Sequence, residues 1–338
     1  MASPDDFNVR LLQSRNSKRT LSQAIDIARR PDMETTMRAL RWAAVTLVCG
    51  LGSQIALADT LSIETARGNI DVSRDPQKVV VFDISALDTL NALGVPVAGT
   101  PEQVFVDYLK PVAEDAEKVG SLFEPDFEAI NALQPDLIVA GGRSSKQVEA
   151  LSEFAPTVDM TIWGDGLLTQ AIARLHAYGS LFGKEDAAQK LEDDLNSAVN
   201  ALKKQGAGAG KALIVLTNGP KISIYGKGSR FGWLHTELGI EPAVEDVDSS
   251  THGEAVSFEF IRDANPDWLI VIDRAAAIGQ DAALAAETLN NKLVAETTAW
   301  KSGQVIFLDA SKVYIAAGGY QSLMGTLTEI SAAFQKAD

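Results

Sequence analysis

The chain has 338 residues, 46% of them hydrophobic, enough for two folded domains of ordinary composition. One cysteine excludes a disulfide framework and a cysteine-based zinc site. Thirty basic residues against 45 acidic ones give a net charge of −15, which disfavours nucleic acid as a partner.

Residues 1–36 are polar and read as a non-native N-terminal extension, with Met33 or Met37 the better start. Residues 37–58, MRALRWAAVTLVCGLGSQIALA, have the form of a secretory signal. Arg38 and Arg41 supply the basic region, Trp42 to Leu51 a short apolar core, and Ala56-Leu57-Ala58 the small-x-small cleavage pattern. The apolar run is shorter than the ~20 residues a spanning helix needs, so cleavage after Ala58 is expected rather than membrane insertion. Cys49 follows Val48, a poor residue before a lipid-attachment site. Cleavage takes away eight basic and five acidic residues and the cysteine, leaving a net charge of −18.

The rest of the chain is organised around a segment that occurs twice. Residues 126–143 read DFEAINALQPDLIVAGGR and residues 257–274 read SFEFIRDANPDWLIVIDR, a constant offset of 131 without a gap. Phe127, Glu128, Ile130, Pro135, Asp136 and Arg143 recur as Phe258, Glu259, Ile261, Pro266, Asp267 and Arg274. Each copy predicts a short helix with an exposed glutamate near its start and a stop before the proline. An apolar strand for a parallel sheet follows, then an arginine past the carboxyl end, where open α/β sheets bind ligands.

Around the first copy, VVVF at 79–82 predicts a buried strand, Ser85–Leu93 a helix ending at Gly94, and Pro96–Gly99 a short second strand. Residues 103–118 read as loop and helix, Lys146–Phe154 as helix and Thr157–Ile162 as a last strand. Residues 59–166 therefore form an N-terminal α/β lobe. Residues 167–205 carry no strand signal. Within them Lys184–Gln205 predicts one long helix with an apolar stripe of Leu191, Leu195, Ala198, Val199 and Leu202. Acidic residues open it and Lys203 and Lys204 close it, as the helix dipole favours. Its place between the two copies makes it an interlobe bridge.

The second lobe, 206–338, starts with ALIVL at 212–216 and KISIYG at 221–226, read as a strand pair. Phe231–Leu238 is helical and 241–256 is an acidic loop. After the second copy come a helix at Leu284–Leu293, a strand at 304–309 and a C-terminal helix at Gln321–Gln335. The fold class is thus α/β, two parallel-sheet lobes joined by a long helix. GAGAGK at 206–211 fails as a phosphate-binding loop because it precedes a strand and lacks the Ser/Thr. GKGSRFG at 226–232 misplaces the last glycine of a dinucleotide fingerprint, and there is no HExxH or GxSxG. No acid/base pair for catalysis is visible.

In an acidic chain, arginines aimed at one cleft imply an anionic ligand. Arg143 and Arg274 come from the repeat, and Arg230 in GKGSRFG is a third candidate. His252 in SSTHGEAVS and Tyr314 in VYIAAGGYQS lie in loops from which they can reach a ligand. His176 and His235 lie on helices and are expected to be structural, and Tyr320 begins a helix.

These segments resemble the periplasmic binding proteins of iron–siderophore ABC importers, in particular those that bind ferric catecholates. The resemblance runs from about residue 62 to 336. It rests on DISALDTLNALG at 83–94, PDFEAINALQPDLIVAGGR at 125–143 and YGKGSRFGWLHTELG at 225–239. THGEAVSFEFI at 251–261, NPDWLIVIDR at 265–274 and YIAAGGYQS at 314–322 complete it. It implies a class III fold with an interlobe cleft and no catalysis. It implies that Arg143, Arg230 and Arg274 hold an anionic ferric complex. It assigns His252 and Tyr314 to iron when the siderophore leaves coordination positions vacant, and Glu128 and Glu259 to docking on the inner-membrane permease, which works with an ATPase. It also implies no intrinsic cofactor, Fe(III) arriving with the siderophore, a monomer, and a Gram-negative periplasm. The AIG that follows Arg274 after two alanines departs from the family pattern and implies a different loop shape there. Haem, cobalamin and ferric hydroxamates are the alternative cargoes, and an enzyme acting on a metal chelate is the alternative class.

Overall fold

The structure is a computed structural model and describes residues 60–248, 252–280 and 284–337. The signal-like segment, its cleavage site and Cys49 lie outside the described residues. The described chain opens with an antiparallel hairpin, β1 (Thr60–Thr65) and β2 (Gly68–Ser73), which turns through Ala66 and Arg67 into Gly68 at φ 98°. The polar 59–77 stretch predicted no such element. The hairpin strands bury few residues, so hydrophobic periodicity is weak there.

Two sheets follow. The first contains β3 (Val79–Val81), β4 (Gly99–Thr100), β5 (Glu117–Lys118), β6 (Leu137–Ala140) and β7 (Thr157–Asp159), all parallel, in the order β5-β4-β3-β6-β7. Helix α1 (Ile84–Ala92) leaves β3 and is capped by the Asp83 carboxylate, which accepts from the Ser85 and Ala86 amides. The strand expected at 96–99 starts three residues later, at Gly99. Pro96 has no N–H to give to a ladder.

The second sheet contains β8 (Lys211–Asn218), β9 (Lys221–Tyr225), β10 (Glu241–Pro242), β11 (Glu254–Ala255), β12 (Trp268–Asp273) and β13 (Val305–Leu308). Its order is β11-β9-β8-β12-β13, with β10 also on β8. This sheet is mixed. β8–β12–β13 run parallel, while β9 folds back antiparallel on β8 as the hairpin reading anticipated.

Alternate residues of the central strands enter different cores. In β12, Ile270 and Ile272 join the large cluster, whereas Leu269 and Val271 pack in a second one. Val79 and Val81 of β3 likewise join the large cluster and Val80 a third. Both faces are covered, which is why these strands read as unbroken apolar runs.

Between the sheets in sequence lie α2 (Leu167–Leu181) and α3 (Glu185–Gly206). The predicted stripe faces inward: Leu195, Val199 and Leu202 are buried, and Leu191 and Ala198 are half-buried. Helix α3 packs on α2 and on the C-terminal α4 (Tyr320–Ala337), which also crosses α1. The large cluster includes Val79 and Val81 of the first sheet and Ile214 and Ile270 of the second, so the lobes share one continuous core. That shared packing opposes a wide hinge between them.

The joint has a polar lock. Asp88 of α1 is buried and accepts from the Gln321 amide at 2.6 Å and the Ser322 amide at 2.9 Å. It thereby caps α4 from the other end of the sequence. Tyr108 donates its phenol to the same carboxylate. The Asn91 amide donates to the Gln321 side chain at 2.8 Å. Burial pushes the Asp88 carboxyl up to about 7, even though these three donors oppose the shift.

The two repeat copies have matching frames. The helices span Phe127–Leu133 and Phe258–Ala264 and end on left-handed residues, Gln134 at φ 50° and Asn265 at φ 36°, just before the prolines. The aspartate after each proline ties the start of a neighbouring strand. Asp136 accepts from the Gln77 and Lys78 amides at 2.8 and 2.9 Å, and Asp267 accepts from the Lys211 amide at 2.8 Å. The repeated Pro-Asp is therefore a framing device, a role its sequence did not disclose.

Candidate ligand-binding site

The strands of both sheets end at one polar cluster. β6 runs into Gly141 and Gly142, and Arg143 follows in a 3-10 turn over Gly142–Gln147. Gly141 has no room for a side chain, since a Cβ there would lie 2.0 Å from an Asp83 carboxylate oxygen. β12 runs directly into Arg274, the first residue of a helical turn capped by Asp273. Arg230 lies in the turn between β9 and the short helix Trp233–Thr236. β13 leads through Asp309 into a π-helical turn, Ser311–Ile315, which carries Tyr314. Turns of this kind are rare and concentrate at functional sites.

All three arginines meet on Tyr314. Arg143 donates to its carbonyl oxygen at 3.0 Å, and Arg230 donates to the same oxygen. Arg274 donates Nε to the phenol oxygen and a terminal nitrogen to the Asn218 amide oxygen, each at 3.3 Å. Arg230 also lies 4.1 Å from the centre of the Tyr314 ring and Arg143 5.4 Å from it, both over its face. Tyr314 is half-buried, as are the three arginines.

This packing sets the electrostatics. Burial alone would raise the Tyr314 phenol. The Arg274 hydrogen bond and the positive charge of Arg230, Arg274 and Arg143 outweigh it, and the phenol falls below the usual tyrosine value. Arg230 moves down in turn, through burial first and the neighbouring Arg143 charge second. Among the described residues, no carboxylate forms a salt bridge with any of the three. Three cations against one phenol have the chemistry to hold an anion with oxygen donors.

His252 lies outside the hydrogen-bonded cluster that joins the described arginines to Tyr314. It is exposed, in the turn that leads into β11. Its neighbour Gly253, at φ 72°, sits against the Tyr225 ring, where a Cβ would approach to 2.7 Å. Tyr225 packs edge-on to Phe231, 4.7 Å between centres, and Phe231 in turn lies 6.4 Å from Tyr314. The turn is thus attached to the aromatic layer behind the arginines. His176 pairs with Glu192 at 2.6 Å, and His235 is buried with its Nδ1 2.8 Å from the Ile240 carbonyl. Burial pushes His235 down toward the neutral form. Tyr320 is half-buried at the start of α4.

Glu128 and Glu259 lie away from the cluster, exposed in the first turns of the two repeat helices. The Ser257 hydroxyl beside Glu259 holds that carboxyl below its usual value.

A cavity of about 630 Å³ lies between the halves of the chain. Glu102, Phe105 and Lys110 line it from one side and Gly279, Asp309 and Ser311 from the other. None of the three arginines lines it, but its Asp309–Ser311 wall runs straight into the Tyr314 turn. Asp88 and Tyr108, beside this region, were not singled out by the sequence reading. Asp88 sits in an amphipathic helix whose periodicity explains its neighbours and not its burial.

A model of the periplasmic binding protein family matches residues 79–312. The chain belongs to that family. Its members bind solutes. The chain is 35% identical over 309 residues to the petrobactin-binding protein YclQ of Bacillus subtilis, covering 88% of this chain and 97% of that one. It is 34% identical over 289 residues to the ferric-anguibactin-binding protein FatB of Vibrio anguillarum, covering 82% and 89%. Among solved structures, the periplasmic catecholate-siderophore binding protein VctP of Vibrio cholerae superposes with a TM-score of 0.77 at 30% identity, covering 81% of this chain and 100% of that one. The fold expectation agrees with these likenesses. No described helix is long and apolar enough to cross a membrane.

Proposed function

We propose that this protein captures a ferric catecholate-type siderophore between its two lobes and delivers it to an inner-membrane ABC permease with its ATPase. The observation that carries the reading is the convergence of Arg143, Arg230 and Arg274 on Tyr314. A ferric bis-catecholate is anionic and rich in oxygen, and guanidinium groups offset such charge with directed hydrogen bonds. The Tyr314 phenol lies below the usual tyrosine value, held there by the Arg274 hydrogen bond and the arginine charges, a shift toward the phenolate form. Phenolate is a hard donor of the kind ferric iron takes, and His252 supplies an imidazole to a second vacant position. Fe(III) here is cargo; the protein holds no cofactor of its own and catalyses no reaction. Relatives whose names specify petrobactin, anguibactin and a catecholate siderophore support the cargo class.

The lobes divide at residues 59–166 and 206–338, with 167–205 as the helical bridge. Glu128 and Glu259, one exposed on each lobe, dock on cationic groups of the permease. The protein works as a free monomer in a Gram-negative periplasm after cleavage behind Ala58, and residues 1–36 take no part. Parallel titrations with a ferric bis-catecholate, a ferric hydroxamate, ferric citrate, haem and cobalamin test the cargo. The bis-catecholate binds most tightly and shows a ligand-to-iron charge-transfer band altered by the protein. Tighter binding of any other member of that set overturns the reading. His252→Ala with Tyr314→Phe weakens a tetradentate complex more than a hexadentate one; equal losses remove the coordination role.

A further inference from the structure

We infer that Trp163 is an aryl-recognition residue, an indole wall on which an aromatic ring of the cargo stacks beside the arginine cluster. This rests on the cargo reading above and adds to it a residue that selects for aromatic ligand arms.

Trp163 is 60% exposed, although indoles ordinarily bury most of their surface. A single exposed apolar side chain needs no explanation by itself. Its loop does. Gly164 and Gly166 both take φ 76°, a conformation that favours glycine. One side chain then clamps the segment: Gln170 donates to the Trp163 and Asp165 carbonyls, both at 2.9 Å, and accepts from the Trp163 amide at 3.2 Å. The backbone under the indole is held on three sides while the ring itself remains in solvent.

The two residues before Trp163 connect it to both halves of the site. Thr161 accepts from the Gly142 amide at 2.8 Å, next to Arg143. Ile162 packs so closely on Gly318 that a Cβ there would lie 2.6 Å from it, four residues after Tyr314. The indole thus projects one residue beyond a tie to the Arg143 turn and a tie to the Tyr314 loop. An aromatic face on a loop tied to the Arg143 turn and to the Tyr314 loop matches a ligand that combines negative charge with flat rings. Catecholate arms have both properties, and aliphatic carboxylates lack the second. With its backbone already held by Gln170, the indole has only two side-chain torsions to order on stacking, so the contact appears in the affinity.

The test uses the full chain and isothermal titration calorimetry, because Trp163 itself would distort a fluorescence readout. The probes are the iron(III) complex of a butane-linked bis(2,3-dihydroxybenzamide) and ferric citrate, with wild type, Trp163→Ala and Trp163→Phe. Aromatic stacking in aqueous sites is worth about 1–1.5 kcal/mol, so Trp163→Ala weakens the bis-catecholate about five- to tenfold. Trp163→Phe keeps a stacking face and stays within about threefold of wild type. Any binding of ferric citrate changes less than twofold in either variant. Circular dichroism and the unfolding midpoint stay at wild-type values, since the ring packs on nothing in the core. The inference is overturned if Trp163→Ala binds the bis-catecholate as wild type does, if Ala and Phe lose affinity equally, or if ferric citrate loses as much. A wild type that binds no bis-catecholate overturns the cargo reading and this inference together. A wild type that binds it and a Trp163→Ala that is unaffected overturns this inference alone.

Discussion

The two copies of the repeated segment share a frame and differ at the tip. In both, a short helix ends on a left-handed residue, a proline follows, and an aspartate ties a neighbouring strand. Past that point they part. β6 has four residues and reaches Arg143 through two glycines, whereas β12 has six and puts Arg274 directly on a helical turn. The tips then do different things to one tyrosine. Arg143 holds the Tyr314 backbone carbonyl, and Arg274 holds the phenol oxygen. The doubled frame places two cations at one point, and the unlike tips divide the work between fixing a loop and lowering a phenol.

That division depends on the joint that keeps the tips together, and breaking the joint has the largest expected effect. Asp88 caps α4 only a few residues after Tyr314, and burial holds its carboxyl near 7 against 3.8 for the free side chain. A carboxyl raised in the fold keeps its proton where the unfolded chain has lost it. Stability therefore falls as pH rises from about 4 to about 7 and is flat in this respect above that, by at most about 4 kcal/mol. Asp88→Asn lacks the titration. Chemical denaturation at pH 5, 6, 7 and 8 then shows wild type losing ground to the variant with rising pH. A constant difference between them refutes the assignment.

The tips themselves come next. Arg274→Ala removes a hydrogen bond to the phenol and one of three cations, so the Tyr314 absorbance titration moves up in pH. Affinity for an anionic ferric complex falls about 10- to 100-fold, the range for a hydrogen bond to a charged group. Arg143→Ala loses similar charge but leaves the phenol hydrogen bond, so it shifts the titration less. Equal shifts in the two variants erase the proposed division. A smaller effect belongs to the frames. Asp136→Ala releases two exposed amides to water and Asp267→Ala one, so each costs about 0.5–1.5 kcal/mol, the first more than the second, by denaturant midpoint.

Much of this was legible in the chain because the physics was local and periodic. The apolar runs at 137–140 and 268–272 are strands buried on both faces, and the stripe of the long helix faces the core. Arg143 and Arg274 could be singled out because strand ends are where such sheets present ligand groups, whereas Arg230, beyond an antiparallel strand, stood out through the GKGSRFG segment and the family resemblance. Asp88 could not, since the α4 amides it caps lie more than 200 residues away and no spacing encodes that contact. Trp163 escaped for another reason: an exposed indole in a glycine-rich loop has no period. Only the Gln170 clamp and the ties of Thr161 and Ile162 show that it is positioned.

The finest difference between the copies lies at their helix starts, beneath the two glutamates. Asp126 accepts from the Glu128 and Ala129 amides, both at 3.0 Å, while Ser257 accepts only from the Phe260 amide, at 3.4 Å. Asp126→Ala therefore costs about 1 kcal/mol and Ser257→Ala less, within the usual range for a lost cap. The serine has a second role that the aspartate lacks, because its hydroxyl lowers the Glu259 carboxyl. Removing it returns Glu259 toward the ordinary glutamate value, seen as a raised carboxyl titration by NMR, with little change in stability. Asp126→Ala gives the opposite pattern, a stability loss without that displacement at Glu259. If Ser257→Ala leaves the Glu259 titration where it was, the hydroxyl is a cap alone, and the two helix starts are equivalent supports for their glutamates.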